Sequence, residues 1–110
     1  MAVTSTQSKG NGVLNFAVGR YISSDTAAAF VITTGFLPRY VKVVNLNASG
    51  DVMVEWFEGM ADASAVKTAI DGTRSVITTL GITVSASGFT VGLDTDLNVV
   101  SEQLSWSAVG

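Results

Sequence analysis

The sequence predicts an all-β fold: a β-sandwich or jelly-roll-like domain of seven to eight short antiparallel strands with one short helix. Runs of β-branched and aromatic residues recur at short intervals along the chain. Turn residues separate these runs, as at Asn11-Gly12, Ser23-Ser24-Asp25 and Asp71-Gly72. The 110 residues can build one core of this kind and leave no room for a second domain.

The strands follow a small, polar N-terminal arm at residues 1–12, so we expect a single β domain over residues 13–110. The runs rich in β-forming residues occupy residues 13–22, 28–34, 40–45, 51–57, 75–80, 82–85, 89–93 and 103–109. In the last run, the period of two places Leu104, Trp106 and Ala108 on one face.

One segment between these runs has helical character. Residues 58–70 are rich in alanine, and Asp62 and Ser64 are candidate N-caps. We therefore expect one or two helical turns between residues 59 and 70, ended by Asp71-Gly72.

Residues 40–57 predict a hairpin whose register follows from its loop. Gly50 supplies the positive φ that such a loop needs, which places Lys42 opposite Glu55. A slip of one residue would exchange the two faces, and the opposite charges favour the register without the slip. One face then carries Tyr40, Lys42, Val44, Met53, Glu55 and Phe57, and the other carries Val41, Val43, Val52, Val54 and Trp56.

Both faces of this hairpin are apolar, although a small domain usually exposes one face of an antiparallel pair to water. The valine-rich face suits the core. The second face has two possible coverings: the short helix packs over Tyr40 and Phe57, or the face is buried in an oligomer or a larger assembly. On the second view, Tyr40, Met53 and Phe57 are candidate oligomer contacts.

Composition excludes several classes of function. Six basic residues are scattered over a chain of net charge -3, which does not suit a nucleic-acid partner. The chain has no cysteine and no histidine, so it lacks thiolate nucleophiles, disulfides and the common zinc ligands. No signal peptide or apolar run of membrane-spanning length is present, so we expect a soluble protein made in a reducing cytoplasm, without a membrane partner.

No constellation of residues predicts catalysis or a cofactor. A Ser-His-Asp triad cannot form without histidine. The stretch from Asp94 to Asn98 begins like a calcium loop, but Val99 occupies the position of the required glycine, so we interpret it as a turn. Trp56 and Trp106 could belong to a sugar-stacking platform, but both take inward positions on alternating strands and predict core packing. We therefore expect a protein that is not an enzyme and binds no cofactor or metal.

Several motifs resemble those of small structural proteins of tailed bacteriophage virions, and the likeness covers about residues 35–110. In that group, a glycine, an aromatic residue and a proline lead into a basic-hydrophobic strand that ends in asparagine, and the hairpin returns through a Glu-Trp motif. The matching stretches are Gly35-Phe-Leu-Pro-Arg-Tyr-Val-Lys-Val-Val-Asn-Leu46, Val54-Glu-Trp-Phe-Glu-Gly-Met60, Asp71-Gly-Thr-Arg74, Gly81-Ile-Thr-Val84, Gly88-Phe-Thr-Val-Gly92 and Trp106.

The resemblance implies a virion component on the capsid surface, a capsid decoration (cement) protein that binds the major capsid protein and stabilises the shell as a homotrimer. The alternative is a glycan- or receptor-binding module on a head fibre or tail. No catalytic residues come with the resemblance. The expected oligomer or capsid contacts are Tyr40, Met53 and Phe57 on the hairpin and, in the arm, Val3, Thr4, Gln7 and Lys9.

Overall fold

The computed structural model describes residues 15–23, 28–47, 52–94 and 96–110, and it confirms the all-β class with eight antiparallel strands. All eight belong to one sheet, in the order β1-β8-β3-β4-β5-β6-β7-β2. The strands are β1 (Phe16–Ile22), β2 (Phe30–Thr33), β3 (Tyr40–Asn45), β4 (Met53–Phe57), β5 (Ser64–Thr68), β6 (Arg74–Ser85), β7 (Gly88–Val91) and β8 (Gln103–Val109).

The central hairpin has the predicted register. Tyr40 lies opposite Phe57, Lys42 opposite Glu55 and Val44 opposite Met53. The inner valines of β3 and β4 are fully buried, as the alternation predicts. Outside this hairpin, β8 pairs with the free edge of β3, and β1 pairs with the far edge of β8.

The predicted helix over residues 59–70 is wrong, because this segment forms a turn and then β5. The turn is closed by a hydrogen bond from the Ser64 amide to the Ala61 carbonyl, and Ala63 takes a positive φ of 65°. Strand β5 then pairs with β4 on one side and with β6 on the other. Two neighbouring strands satisfy its backbone and bury Ala65 completely, so tertiary pairing overrides the helical propensity of alanine.

Strand β6 joins two runs that were expected to be separate strands. Its pairing with β5 jumps from Ala65–Ile77 to Ser64–Ile82, which leaves an extra segment in β6. Leu80 has a positive φ of 62° there, and a side chain on Gly81 would come within 2.5 Å of the Ser64 carbonyl oxygen. This bulge bends the sheet, so that β7 and β2 fold back over the central strands.

The curled sheet closes over one core in the manner of a sandwich. Phe89 of β7 meets Trp106 of β8 edge-on, with ring centroids 5.5 Å apart. At the two ends of the strand order, Tyr21 of β1 stacks on Phe30 of β2 at 3.8 Å. The buried apolar residues around these contacts are Ile32, Val41, Val43, Val52, Val54, Trp56, Ala65, Ile82, Phe89, Val91, Leu97, Leu104 and Ala108.

Candidate docking face

The outward side chains of six consecutive strands form a continuous surface, which we call the outer face. The strand pairings align these side chains in rows that run across β1, β8, β3, β4, β5 and β6. One row contains Val18, Ser107, Lys42, Glu55, Val66 and Val76; the next contains Arg20, Ser105, Val44, Met53, Thr68 and Arg74; a third contains Phe16, Val109, Tyr40 and Phe57.

The outer face exposes more apolar area than a solvated sheet face needs. The exposed fraction is 55% for Phe16, 63% for Val18, 66% for Ile22, 42% for Phe57 and 65% for Val76. These side chains belong to one sheet surface, where Ser107, Lys42 and Glu55 lie between Val18 and the valines of β5 and β6. Exposed apolar side chains that are bordered by polar residues in this way mark interaction sites on soluble proteins.

The structure removes one of the two coverings that the sequence left open. The segment expected to pack as a helix over Tyr40 and Phe57 is β5, which extends the sheet sideways and leaves their face uncovered. Within the described residues, no other element packs over this face. Burial of the outer face in an oligomer or a larger assembly stays a prediction.

The three predicted hairpin contacts all lie on the outer face. Met53 and Tyr40 are half-buried and Phe57 is exposed. The rings of Tyr40 and Phe57 pack at a tilt of 54° with centroids 5.3 Å apart. The three residues therefore share one surface, and their role as oligomer or capsid contacts stays a prediction.

Tyr40 also binds Glu55, which carries the one carboxylate in these rows of outward side chains. Its hydroxyl donates a 2.6 Å hydrogen bond to Oε2 of Glu55. Burial, together with this hydrogen bond and the negative charge of Glu55, raises the pKa of Tyr40 to about 12. The phenol therefore stays neutral and keeps its hydrogen bond at neutral pH.

Sequence reasoning missed the contribution of β1 to this surface. Phe16, Val18 and Ile22 alternate outward, while Ala17, Gly19 and Tyr21 alternate inward. Because both sets are largely apolar, the alternation does not reveal which side is exposed. Only the pairing of β1 with β8 shows which side of β1 is exposed. Because β8 is distant in sequence, the local pattern of residues does not predict this pairing.

The predicted arm contacts Val3, Thr4, Gln7 and Lys9 lie outside the described residues. Their role as capsid contacts stays a prediction.

Two carboxylates of the loop after β7, those of Asp94 and Asp96, form ion pairs with Lys67. Nζ of Lys67 lies 3.0 Å from Oδ1 of Asp94 and 3.0 Å from Oδ2 of Asp96. Burial lowers the pKa of Lys67, but its hydrogen bonds to Asp96 and Asp94 outweigh burial and leave the pKa raised. In the described ranges, no group of three or more acidic side chains is placed to hold a metal ion.

The core packing predicted for the two tryptophans is confirmed for Trp56 and holds in part for Trp106. Trp56 is buried, and its indole N–H lies 3.3 Å from the carbonyl oxygen of Ala61. Trp106 packs against the core beside Phe89. Burial therefore keeps Trp56 from serving as the exposed flat platform that stacking on a sugar requires.

Comparisons with family models, curated proteins and solved structures find no match to this chain. The described part of the chain has no helix with the length and hydropathy needed to cross a bilayer.

Proposed function

We propose that this protein is a non-enzymatic structural component of a tailed-bacteriophage virion, a decoration (cement) protein that docks on the capsid shell through its outer face. The observation that carries the proposal is the set of exposed apolar side chains on the outer face, on β1, β4 and β6, beside the hairpin that resembles those of virion proteins. The low content of charged residues, 14%, suits a molecule that is surrounded by other proteins in its working state.

The mechanism is burial of apolar area distributed over many weak contacts. Full burial of a valine, isoleucine or phenylalanine side chain contributes about 1.5–3 kcal/mol. More than half of Phe16, Val18, Ile22 and Val76 is still exposed, so covering each would contribute about 1 kcal/mol or more. Several copies on one shell add these contributions through avidity and oppose separation of neighbouring capsid subunits.

In this proposal the partner is the major capsid protein and the working form is a homotrimer on the capsid surface. Light scattering on the purified protein over a dilution series measures the oligomeric state. We expect the mass of a trimer at high concentration, while a mass that stays monomeric would remove the homotrimer from the proposal and leave shell docking to be tested by itself.

The docking test uses shells assembled from the major capsid protein of the same phage. Val18 and Val76 lie on the outer face, whereas Val31 is equally exposed, at 70%, on the opposite layer. Valine to threonine keeps the β-branched shape and changes mainly polarity. We expect Val18→Thr combined with Val76→Thr to weaken co-sedimentation with shells about tenfold or more, because each change places an unpaired hydroxyl in the contact.

The matched control is Val31→Thr, which should bind shells like the wild type. Equal binding by the outer-face double variant, or a loss confined to Val31→Thr, would contradict docking through the outer face. Failure of the wild type to bind shells would overturn the capsid role itself.

A further inference from the structure

Lys42 lies in the middle of the outer face, and its expected partner does not pair with it. The register places Lys42 opposite Glu55, as predicted. However, Glu55 accepts the hydrogen bond from Tyr40 at 2.6 Å, and Nη2 of Arg74 lies 3.7 Å from its other oxygen. Among the described residues, no carboxylate lies within ion-pair distance of Lys42.

The surroundings of Lys42 form a shallow groove over β1, β8 and β3. The groove has a volume of about 240 Å³ and is lined by Val18, Lys42, Val44, Ser105, Trp106 and Ser107. Valine side chains supply apolar walls on both sides, and the two serines supply hydroxyl groups that can donate hydrogen bonds. Lys42 is half-buried as a residue and lines this groove between Val18 and Val44, so a carboxylate that enters the groove comes close to its ammonium group, and the two opposite charges attract.

The charge of the outer face differs in sign from that of the chain. Among the outward side chains of its strands, three are basic, Arg20, Lys42 and Arg74, and one is acidic, Glu55, which gives the face a net charge of +2. The whole chain has a net charge of -3. A symmetric pairing of two copies across the groove would bring two Lys42 ammonium groups together, whereas an acidic partner would be complementary.

We propose that this groove receives a carboxylate side chain of the partner protein, flanked by apolar residues, and that Lys42 pairs with it. The inference deepens the proposed function, on which it rests for the identity of the partner: docking on the outer face supplies apolar burial, and the carboxylate fixes the position of the partner on that face. Ser105 and Ser107 donate to the remaining lone pairs of the carboxylate.

A peptide titration followed by NMR tests the groove without any shell. The probe is acetyl-valyl-aspartyl-valyl-amide, and its control has asparagine in place of aspartate. With the isotopically labelled full chain, we expect the aspartyl probe to shift the signals of Val18, Lys42 and Val44 with millimolar affinity. The asparaginyl control should shift them at least several-fold less. Equal shifts from the two probes, or shifts elsewhere only, would overturn the proposal.

The second arm uses Lys42→Met, which keeps the aliphatic stem and removes the charge. We expect this variant to lose the response to the aspartyl probe and to bind shells about tenfold or more weakly. The control Arg20→Met removes an equal charge from an exposed position on the same face and should change shell binding only a few-fold. Unchanged circular dichroism confirms that both variants fold.

The outcomes separate the inference from the proposed function. If the wild type and Lys42→Met bind shells equally, the carboxylate site is wrong while shell docking stands. If the aspartyl probe binds in the groove but no shell binds, the site stands and the capsid role fails. If Lys42→Met changes the oligomeric state instead, the carboxylate comes from a sibling subunit, and its assignment to the capsid is overturned.

Discussion

Replacing Gly19 by valine tests how β1, which carries much of the outer face, is held on the sheet. Gly19 lies opposite Trp106, and a Cβ at position 19 would lie 2.6 Å from Cζ2 of the indole ring. Carbon atoms in contact prefer a separation of about 3.5–4.0 Å. The ring therefore has to move by about 1 Å, which disturbs its edge-on contact with Phe89.

Steric overpacking and the higher β-propensity of valine act in opposite directions on the stability of Gly19→Val. Overpacking of a core costs about 1–3 kcal/mol, and loss of an aromatic pair costs about 0.5–1.5 kcal/mol. In an ordinary strand, valine in place of glycine would instead stabilise by up to about 1 kcal/mol. The steric terms exceed the propensity gain, so we expect Gly19→Val to lower the free energy of unfolding by about 1–3 kcal/mol.

Urea denaturation followed by tryptophan fluorescence measures this change. The control repeats Gly19→Val in a Trp106→Ala background, where the ring is absent and the valine should be neutral or stabilising. This double-mutant cycle isolates the contact between positions 19 and 106. A neutral or stabilising Gly19→Val in the wild-type background would refute the account of how β1 packs.

Three further predictions concern buried polar groups. Asn45→Ala should destabilise by about 1–3 kcal/mol in urea denaturation, because Asn45 is fully buried and donates to the Leu97 carbonyl and to Glu102 at 2.9 Å. Lys67→Met should lower the free energy of unfolding by about 3 kcal/mol at neutral pH, because it removes the counter-charge of the nearly buried Asp94 carboxylate and leaves it with the backbone N–H groups of Asp96 and Leu97. The two tyrosines of the chain, Tyr21 and Tyr40, should both ionise near pH 12 in the folded protein, because burial raises both pKa values, as a near-ultraviolet absorbance titration would detect.

Each of these predictions has its own check. The control for Asn45→Ala is Thr33→Ala, because Thr33 is exposed on β2 and its replacement should change stability little. Equal effects of the two substitutions would contradict the role of the buried Asn45 hydrogen bonds. Because the pKa of Lys67 is raised, its stabilisation is full below about pH 10.5 and is lost as pH rises through the raised value. The loss of unfolding free energy caused by Lys67→Met should therefore become smaller as the pH rises through the pKa of Lys67. A loss that is the same at every pH would contradict the ion pair.

The raised tyrosine pKa values also make folding stability fall as the pH rises, and Tyr21 serves as an internal control for Tyr40. Raised pKa values mean that folding stability is lost between pH 10.0 and about 12, as the two phenols are forced to ionise. Glu55→Gln should lower the pKa of Tyr40 and leave that of Tyr21 unchanged. Ionisation of either tyrosine near pH 10 in the folded wild type would contradict its burial.

The parts of the fold that local sequence pattern controls were predictable. The hairpin register follows from a short loop and alternating side chains, and the structure confirms the pairing of Lys42 with Glu55 on neighbouring strands. Residues 59–70 were not predictable in this way, because alanine favours a helix locally while two neighbouring strands impose a third strand.

The candidate site was predicted in part for the same reason. Tyr40, Met53 and Phe57 belong to the hairpin, so their shared face follows from its register. Phe16 and Val18 join them only through β8, which is distant in sequence. The register also implies a pair between Lys42 and Glu55, and only the side-chain contacts reveal that Tyr40 and Arg74 bind this carboxylate instead. Local pattern therefore did not show that Lys42 has no carboxylate partner among the described residues.

The most direct test of the outer face as the docking surface is hydroxyl-radical footprinting of the protein free in solution and bound to shells. If the outer face docks on the shell, binding protects Phe16, Val18 and Phe57, while Val31 on the opposite layer stays as reactive as in the free protein. Protection of Val31, with unchanged reactivity at the three outer-face residues, would contradict it.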